Sequence, residues 1–201
     1  MVEHYYTEEQ TSPFKPTKVM MTVGGVQLEL YTAGGVFSPK QLDSGTKLLI
    51  ESAIIEKGWE VLDLGCGYGI AGIALKKRYP SINIIMSDVN KRAVKLARMN
   101  AELHKIKSEI IQSSIFSSPK FEGRSFDTII LNPPQTAGKQ ICFDMIEQSF
   151  QHLKKGGMLQ IVARHQKGGK HLSQKMEEIF GNVEDIAKRS GFRVYVSKRE
   201  K

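Results

Sequence analysis

Three glycines spaced two apart, behind a short apolar run that carries an acid, constrain this chain most: Glu60-Val61-Leu62-Asp63-Leu64-Gly65-Cys66-Gly67-Tyr68-Gly69. The apolar run reads as a buried strand. The glycines read as a tight turn, and Ile70, Ile73 and Ala74 as the inner face of a helix that begins there. Glycine permits such a turn and leaves no side chain between backbone and ligand. The first N–H groups of the following helix lack partners inside it, so they can hold a carboxylate or a phosphate. A purely structural turn would be weakened by glycines at this spacing, so the pattern points to a ligand.

Around this turn strands and helices alternate. Strands are expected over 60–64, 82–88, 109–113, 126–131 and 157–163. Helices are expected over 69–79, ended by Pro80, from Asn90 to about Lys105, over 139–153 and over 170–180. The helix over 139–153 would carry Ile141, Met145, Ile146, Phe150 and Leu153. An earlier helix, capped by Asp43 or Ser44, would bury Leu48, Leu49, Ala53 and Ile54. Two terminal strands, 183–187 and 192–197, are joined by too few residues for a crossover helix and should be antiparallel. The alternation predicts an α/β fold, a doubly wound Rossmann-like sheet of seven strands, mostly parallel with an antiparallel C-terminal strand. Residues 1–32 read as an N-terminal extension: a polar arm with Pro13 and Pro16, then a β-hairpin over 18–23 and 26–32 around Gly24-Gly25. Residues 33–201 form the main domain.

Composition narrows the partners. With 29 Lys and Arg against 21 Asp and Glu, the net charge of +8 favours an anionic partner, nucleic acid first and a membrane surface second. Two cysteines, Cys66 and Cys142, are too few for a disulfide framework or a zinc site, which suggests a reducing, cytoplasmic setting. No run approaches membrane-spanning length, and the first ten residues are not signal-like. His165 and His171 have no carboxylate or cysteine near them in sequence and read as loop residues, so no metal is expected.

In open α/β sheets ligands lie beyond the carboxyl ends of the strands, where the strand order reverses. That edge gathers Asp63, the 65–69 turn, Asp88-Val89, Ser113–Phe116 and Asn132–Gln135. An ionised Asp88 can accept from both hydroxyls of a ribose. Asp63 can hold an ammonium group or brace the turn. Residues 67–72 fit the dinucleotide pattern G-x-G-x-x-G, but in that pattern the acid ends the next strand, whereas here Asp63 already sits at the end of the first. In Asn132-Pro133-Pro134 two prolines stiffen the chain beyond a buried strand. The Asn132 side-chain carbonyl and the Pro133 backbone carbonyl can then orient a planar amino group and offset the charge it gains on alkylation. Cys66 reads as a small filler in the turn.

Two of these motifs carry a family resemblance. The run from Asp63 to Gly69 resembles motif I of the class I S-adenosylmethionine-dependent methyltransferases. Asn132-Pro133-Pro134 resembles motif IV of those that methylate amino groups of adenine, guanine or glutamine amides. From about Phe37 onward the chain is similar to the small archaeal-type relatives of the ribosomal-RNA guanine-N2 methyltransferases. The matching pieces are Gly35–Pro39, Leu42–Thr46, Asp63–Gly69, Asn90–Ala93 and Asn132–Lys139. The resemblance implies S-adenosylmethionine as cofactor, held by Thr46, Asp63, Gly65, Cys66, Gly67, Gly69, Asp88, Val89, Ser114, Ile115 and Asn132. It implies Asn132, Pro133 and Pro134 as the catalytic group. On the substrate side it implies Phe37, Gln135 and Lys139, with RNA, in particular ribosomal RNA, as partner. Independently, the basic run after strand 157–163, with Arg164, Lys167 and Lys170, reads either as a phosphate grip beside the site or as a solvated surface loop. Many relatives have an acid where Ser114 stands and an aromatic, stacked on the target base, where Gln135 stands. Phe37, Phe143 or a residue of the arm would then have to cover the base. Two rival readings are a methyltransferase of small molecules or protein side-chain amides, and a non-catalytic RNA-binding module. Asp63, Asp88 and Asn132 together argue against the module.

Overall fold

The strands form where short apolar runs lie between breakers; two of the helices start at the side-chain caps Asp43 and Asn90, and three start at glycines, Gly69, Gly138 and Gly168. The computed structural model describes residues 4–39 and 41–201; residues 1–3 of the expected arm lie outside the described residues. A hairpin of β1 (Thr17–Val23) and β2 (Val26–Thr32) comes first, followed by α1 (Ser44–Ser52). Then come β3 (Glu60–Leu64), α2 (Ile70–Arg78), β4 (Asn83–Asp88), α3 (Lys91–Leu103) and β5 (Glu109–Gln112). The second half holds β6 (Phe126–Leu131), α4 (Lys139–Gln151), β7 (Leu153–Arg164), α5 (Gly169–Phe180), β8 (Glu184–Arg189) and β9 (Phe192–Lys198).

Seven strands form one sheet in the order β5-β4-β3-β6-β7-β9-β8. The pairs among β5, β4, β3, β6 and β7 are parallel, and β9 runs antiparallel to both β7 and β8. The chain winds outward from β3 to β5, then returns to β6 on the other side of β3. The order therefore reverses between β3 and β6, and the crevice beyond their carboxyl ends is where such a sheet holds a ligand. One face of the sheet is covered by α1, α2, α3 and the hairpin, the other by α4 and α5.

The hairpin turn has positive φ at both Gly24 (57°) and Gly25 (79°), a geometry whose twist matches the flanking strands and that favours glycine at both places. Leu28 and Leu30 are fully buried. The side chain of buried Asn100 on α3 accepts from Tyr31 N and donates to the carbonyls of Tyr31 and Tyr68, pinning the hairpin to the glycine turn's helix layer. In the terminal hairpin β8 runs on to Arg189, so Ser190-Gly191 alone makes the turn.

Two helices end earlier than their apolar patterns predict. α1 stops at Ser52 because Gln160, fully buried on β7, exchanges hydrogen bonds with both the N–H and the carbonyl of Ile54, drawing that segment out straight. Ala53 is only half-buried and Ile54 is exposed, so neither belongs to the helix face. α4 stops at Gln151, and Leu153 opens β7, buried beneath the sheet opposite Phe126. Ile141, expected inside, is 40% exposed, because the first turn of α4 overhangs the crevice instead of packing on the sheet. No helix among the described residues is long and apolar enough to cross a membrane.

Candidate active site

The glycine turn is held by hydrogen bonds within one β-α-β unit. Gly65 N and Cys66 N both donate to the Ser87 carbonyl of β4. Gly67 N donates to Asp88 Oδ2 at 2.8 Å, and Gly72 N donates to Asp63 Oδ2 at 2.8 Å. Asp63 thus braces the start of α2 from below. A methyl group on Gly72 would lie 2.7 Å from Met86 Sδ and 3.2 Å from Asp63 Oδ2, so the close approach itself requires glycine. Gly65, Gly67 and Gly69 all have positive φ, the left-handed region that side chains resist.

Both acids are set in protein. Burial pushes the Asp63 carboxyl up to about 7, against the pull of the Gly72 N–H, and the charge of nearby Asp88 pushes the same way. Burial pushes Asp88 up to about 6, against the backbone N–H groups of Asn90, Gly67 and Val89. Asp88 also accepts from Asn90 N at 2.9 Å, while Asn90 caps α3 through its side chain. The Cys66 thiol is raised well above its usual value by burial, which suits a packed filler and not a nucleophile.

A cavity of about 290 Å³ opens over the turn, near the lower end of the size that takes a drug-sized ligand. Asp63, Gly65, Cys66, Gly67, Asp88, Val89, Ser114 and Ile115 line it, as do Thr46, Asn132, Pro133, Pro134 and Phe37. Gly69 lies under the turn as the residue before α2, fully covered. Ile115 has φ of 52°, a backbone conformation a β-branched side chain rarely adopts, at a cost on the order of 1–3 kcal/mol. Strain held at a cavity wall is a mark of ligand shaping.

Asn132 is oriented by the chain's own groups. Its Nδ2 donates to Thr46 Oγ1 at 2.9 Å and to Asp43 Oδ2 at 3.2 Å. Asp43 Oδ2 also receives Thr46 N at 2.8 Å, capping α1, and Thr46 Oγ1 at 3.3 Å. An ionised carboxylate can only accept. The amide nitrogen of Asn132 must therefore face Asp43, which leaves its carbonyl oxygen for the cavity. The Pro133 carbonyl already receives Gln135 N at 2.8 Å, so one of its two lone pairs is engaged. Gly45 completes this corner: a methyl group there would lie 2.7 Å from the Phe192 ring and 2.9 Å from Asp43.

The remaining substrate-side residues divide. Gln135 turns away from the cavity, donating to the Lys167 carbonyl at 2.9 Å and accepting from Arg164 N at 3.1 Å. It fastens the loop after β6 to the loop after β7. Lys139, Arg164, Lys167 and Lys170 are exposed on the loops and helix starts at this same edge of the sheet. The Arg164 guanidinium lies over the Phe192 ring, 4.6 Å from its centroid. Phe143 packs into the second core beneath Lys175 and does not line the cavity.

The sequence allowed a residue of the arm to cover the base without naming which, and it carried no sign of the second role of Asp43. Tyr5 and Tyr6 of the arm line the cavity, and Asp43 orients Asn132 across 89 residues. The helix-cap signal at Asp43 was legible, but its second acceptor role depends on a tertiary contact. Among the described residues no group of three or more His, Cys, Asp or Glu stands ready for a metal.

The cavity's chemistry fits the cofactor that motif I implies. It offers a shielded carboxylate for an ammonium at Asp63, a second carboxylate for ribose hydroxyls at Asp88, and a glycine backbone that admits a ligand between them. Comparisons with known proteins give the family. Residues 27–196 match the family described as Methyltransferase small domain. The chain is 36% identical over 203 residues to uncharacterized protein YbxB of Bacillus subtilis (strain 168), covering 99% of this chain and 100% of that one. It is 35% identical over 175 residues to ribosomal RNA small subunit methyltransferase C of Haemophilus influenzae (strain PittGG), covering 85% of this chain and 51% of that protein, so it spans about half the length of such relatives. A solved structure, the T. thermophilus 16S rRNA N2 G1207 methyltransferase (RsmC) in complex with AdoMet and guanosine, superposes with a TM-score of 0.80. That match has 21% identity and covers 93% of this chain and 51% of that one. The chain belongs to the methyltransferase small domain family, enzymes that take their methyl group from S-adenosylmethionine.

Proposed function

We propose that this chain methylates an exocyclic amino group of a nucleobase in RNA, namely guanine N2 of ribosomal RNA, in the cytoplasm. One observation carries the reading: the Asn132 amide is fixed with its nitrogen on Asp43 and Thr46, so that its carbonyl oxygen is offered beside the cavity. A bare RNA-binding module has no use for a half-buried carboxylate whose third donor orients that amide.

S-adenosylmethionine, when bound, supplies an electrophilic methyl group. Asp63 would hold its ammonium end and Asp88 its ribose, while the backbone of the glycine turn lies against it. Asn132 Oδ1, with the second lone pair of the Pro133 carbonyl, would accept the two N–H bonds of the target amine. That aims the nitrogen and stabilises the positive charge it acquires, an effect on the order of 10²-fold in rate for a well-placed group. The proton can leave after transfer, so no strong base is required at Asn132. A base within a helix cannot reach this crevice and would have to be unstacked. Lys139, Arg164, Lys167 and Lys170 would grip the flanking phosphates, which makes binding salt-dependent.

The test is a mass-mapped methyl group. Ribosomal RNA from cells lacking the protein should miss one methylated guanine, restored by the wild-type chain and not by Asn132→Ala. An identical methylation map with and without the protein refutes the RNA assignment. A methyl group found on a protein glutamine would replace it with the amide reading.

A further inference from the structure

A planar base can present its amine to Asn132 only if something flat holds its ring, and the residue after Asn132-Pro133-Pro134 does not do so. Both ends of the Gln135 amide are engaged by the loop after β7, and its side chain lies outside the cavity. Gly168 leaves room for it there, since a methyl group at that position would lie 3.2 Å from Gln135 Nε2. Among the described residues four aromatic rings line the cavity, Tyr5, Tyr6, Phe37 and Tyr68, and of these Tyr5 bonds to the loop that follows Asn132. Tyr5 and Phe37 pack at 5.1 Å between centroids, with planes tilted by 49°, and both line the cavity.

We propose that Tyr5, supported by Phe37, is the face on which the acceptor base stacks, so that the N-terminal arm completes the substrate site. This rests on the acceptor being a nucleobase, as argued above. Tyr5 is placed by contacts at both of its ends. Its hydroxyl lies 3.3 Å from Thr136 Oγ1, four residues beyond Asn132. Its carbonyl receives Asn90 Nδ2 at 3.0 Å, from the residue that caps α3. The arm is anchored further along where Glu8 O receives Lys91 N and where Arg92 donates to Ser12 Oγ. The backbone is thus tied to α3 while the ring tip reaches the loop after β6. The cavity's far end, by Asp88, Ser114 and Ile115, lies at the ends of β4 and β5, on the other side of β3. The Tyr5 backbone is therefore held near Asp88, while its ring tip, at Thr136, reaches the acceptor side.

Transfer of tritiated methyl from S-adenosylmethionine to ribosomal RNA of cells lacking the protein, with cofactor affinity measured separately by calorimetry, tests this. Tyr5→Ala should lower kcat/KM for the RNA on the order of 10- to 100-fold, the usual loss when a stacked aromatic is removed. Its affinity for S-adenosylmethionine should stay within about twofold. Tyr5→Phe keeps the ring and loses only the bond to Thr136, and should stay within about threefold of wild type. Wild-type activity in Tyr5→Ala overturns the proposal. So does a loss of cofactor affinity that matches the loss of turnover, which would make the arm a cofactor cover. So does equal damage by Tyr5→Phe, which would make Tyr5 a tether. Each of these requires an active wild type, whereas a wild-type chain that methylates no such RNA removes the nucleobase reading itself and the stacking with it.

Discussion

The floor and the wall of the cavity are built differently. The floor is local: Gly72 meets Asp63 nine residues away, and Gly67 meets Asp88 across 21. The wall is assembled from afar: Asn132 is held by Asp43 and Thr46 across 89 and 86 residues, and Tyr5 reaches Thr136 across 131. A floor closed within one β-α-β unit is rigid before any ligand arrives. A wall whose groups come from the arm, α1 and the loop after β6 is complete only when the whole chain has folded. On the function proposed above, the floor would serve cofactor binding and the wall transfer, and changes to the two should separate in their kinetics.

Asn132→Ala should give the largest effect, lowering kcat on the order of 100-fold or more while leaving S-adenosylmethionine affinity nearly unchanged. Asp88→Ala should do the opposite, weakening cofactor binding on the order of 100-fold through loss of two charge-assisted hydrogen bonds. It also leaves Gly67 N without its partner. Calorimetry and turnover on both variants check this, and equal effects on binding would erase the distinction between floor and wall.

The floor should also be pH-dependent. Asp63 and Asp88 sit at about 7 and about 6, and a cofactor ammonium and ribose favour their ionised forms. Binding then releases protons, so affinity should rise with pH through about 6 to 7 and level off near 8. For the chain alone the sign is reversed. Pushed above the unfolded value of 3.8, these carboxyls contribute stability at low pH that is lost as pH rises through about 7. Cofactor affinity and thermal midpoint measured at about pH 5.5 and about pH 8 should therefore move in opposite directions. An affinity independent of pH would mean the acids do not contact the cofactor as charges.

The same division explains what could be read from the sequence. The alternation of elements, the hairpin and the floor follow from local patterns: apolar runs, glycines where φ is positive, an acid at a strand end. Gln160 drawing Ile54 straight, Ile141 overhanging the crevice and Asp43 facing Asn132 depend on which elements become neighbours. Periodicity ranks a residue as inner or outer, but carries nothing on a partner a hundred residues away. Gln135 shows the limit best, because only the loop after β7 reveals why it is polar. A steric floor change should then lower stability, and cofactor affinity with it where the crowding reaches Asp63. Gly72→Ala drives a methyl group against Met86 and Asp63 and should cost about 1–3 kcal/mol by urea unfolding. Turnover of the folded fraction should change little if Met86 gives way.

The smallest effect tests the wall most finely. Thr46 lines the cavity, yet its hydroxyl accepts from Asn132 and donates to Asp43. Thr46→Val keeps the shape and removes both bonds, while Asp43 still receives the Thr46-position backbone N–H and Asn132 Nδ2. The amide should then stay correctly turned but less tightly held. A loss of one net hydrogen bond, about 1 kcal/mol, corresponds to about a fivefold drop in kcat. Cofactor affinity should not change, because the hydroxyl faces the wall. Should affinity fall while kcat holds, Thr46 belongs to the floor after all, and the orientation of Asn132 rests on Asp43 alone.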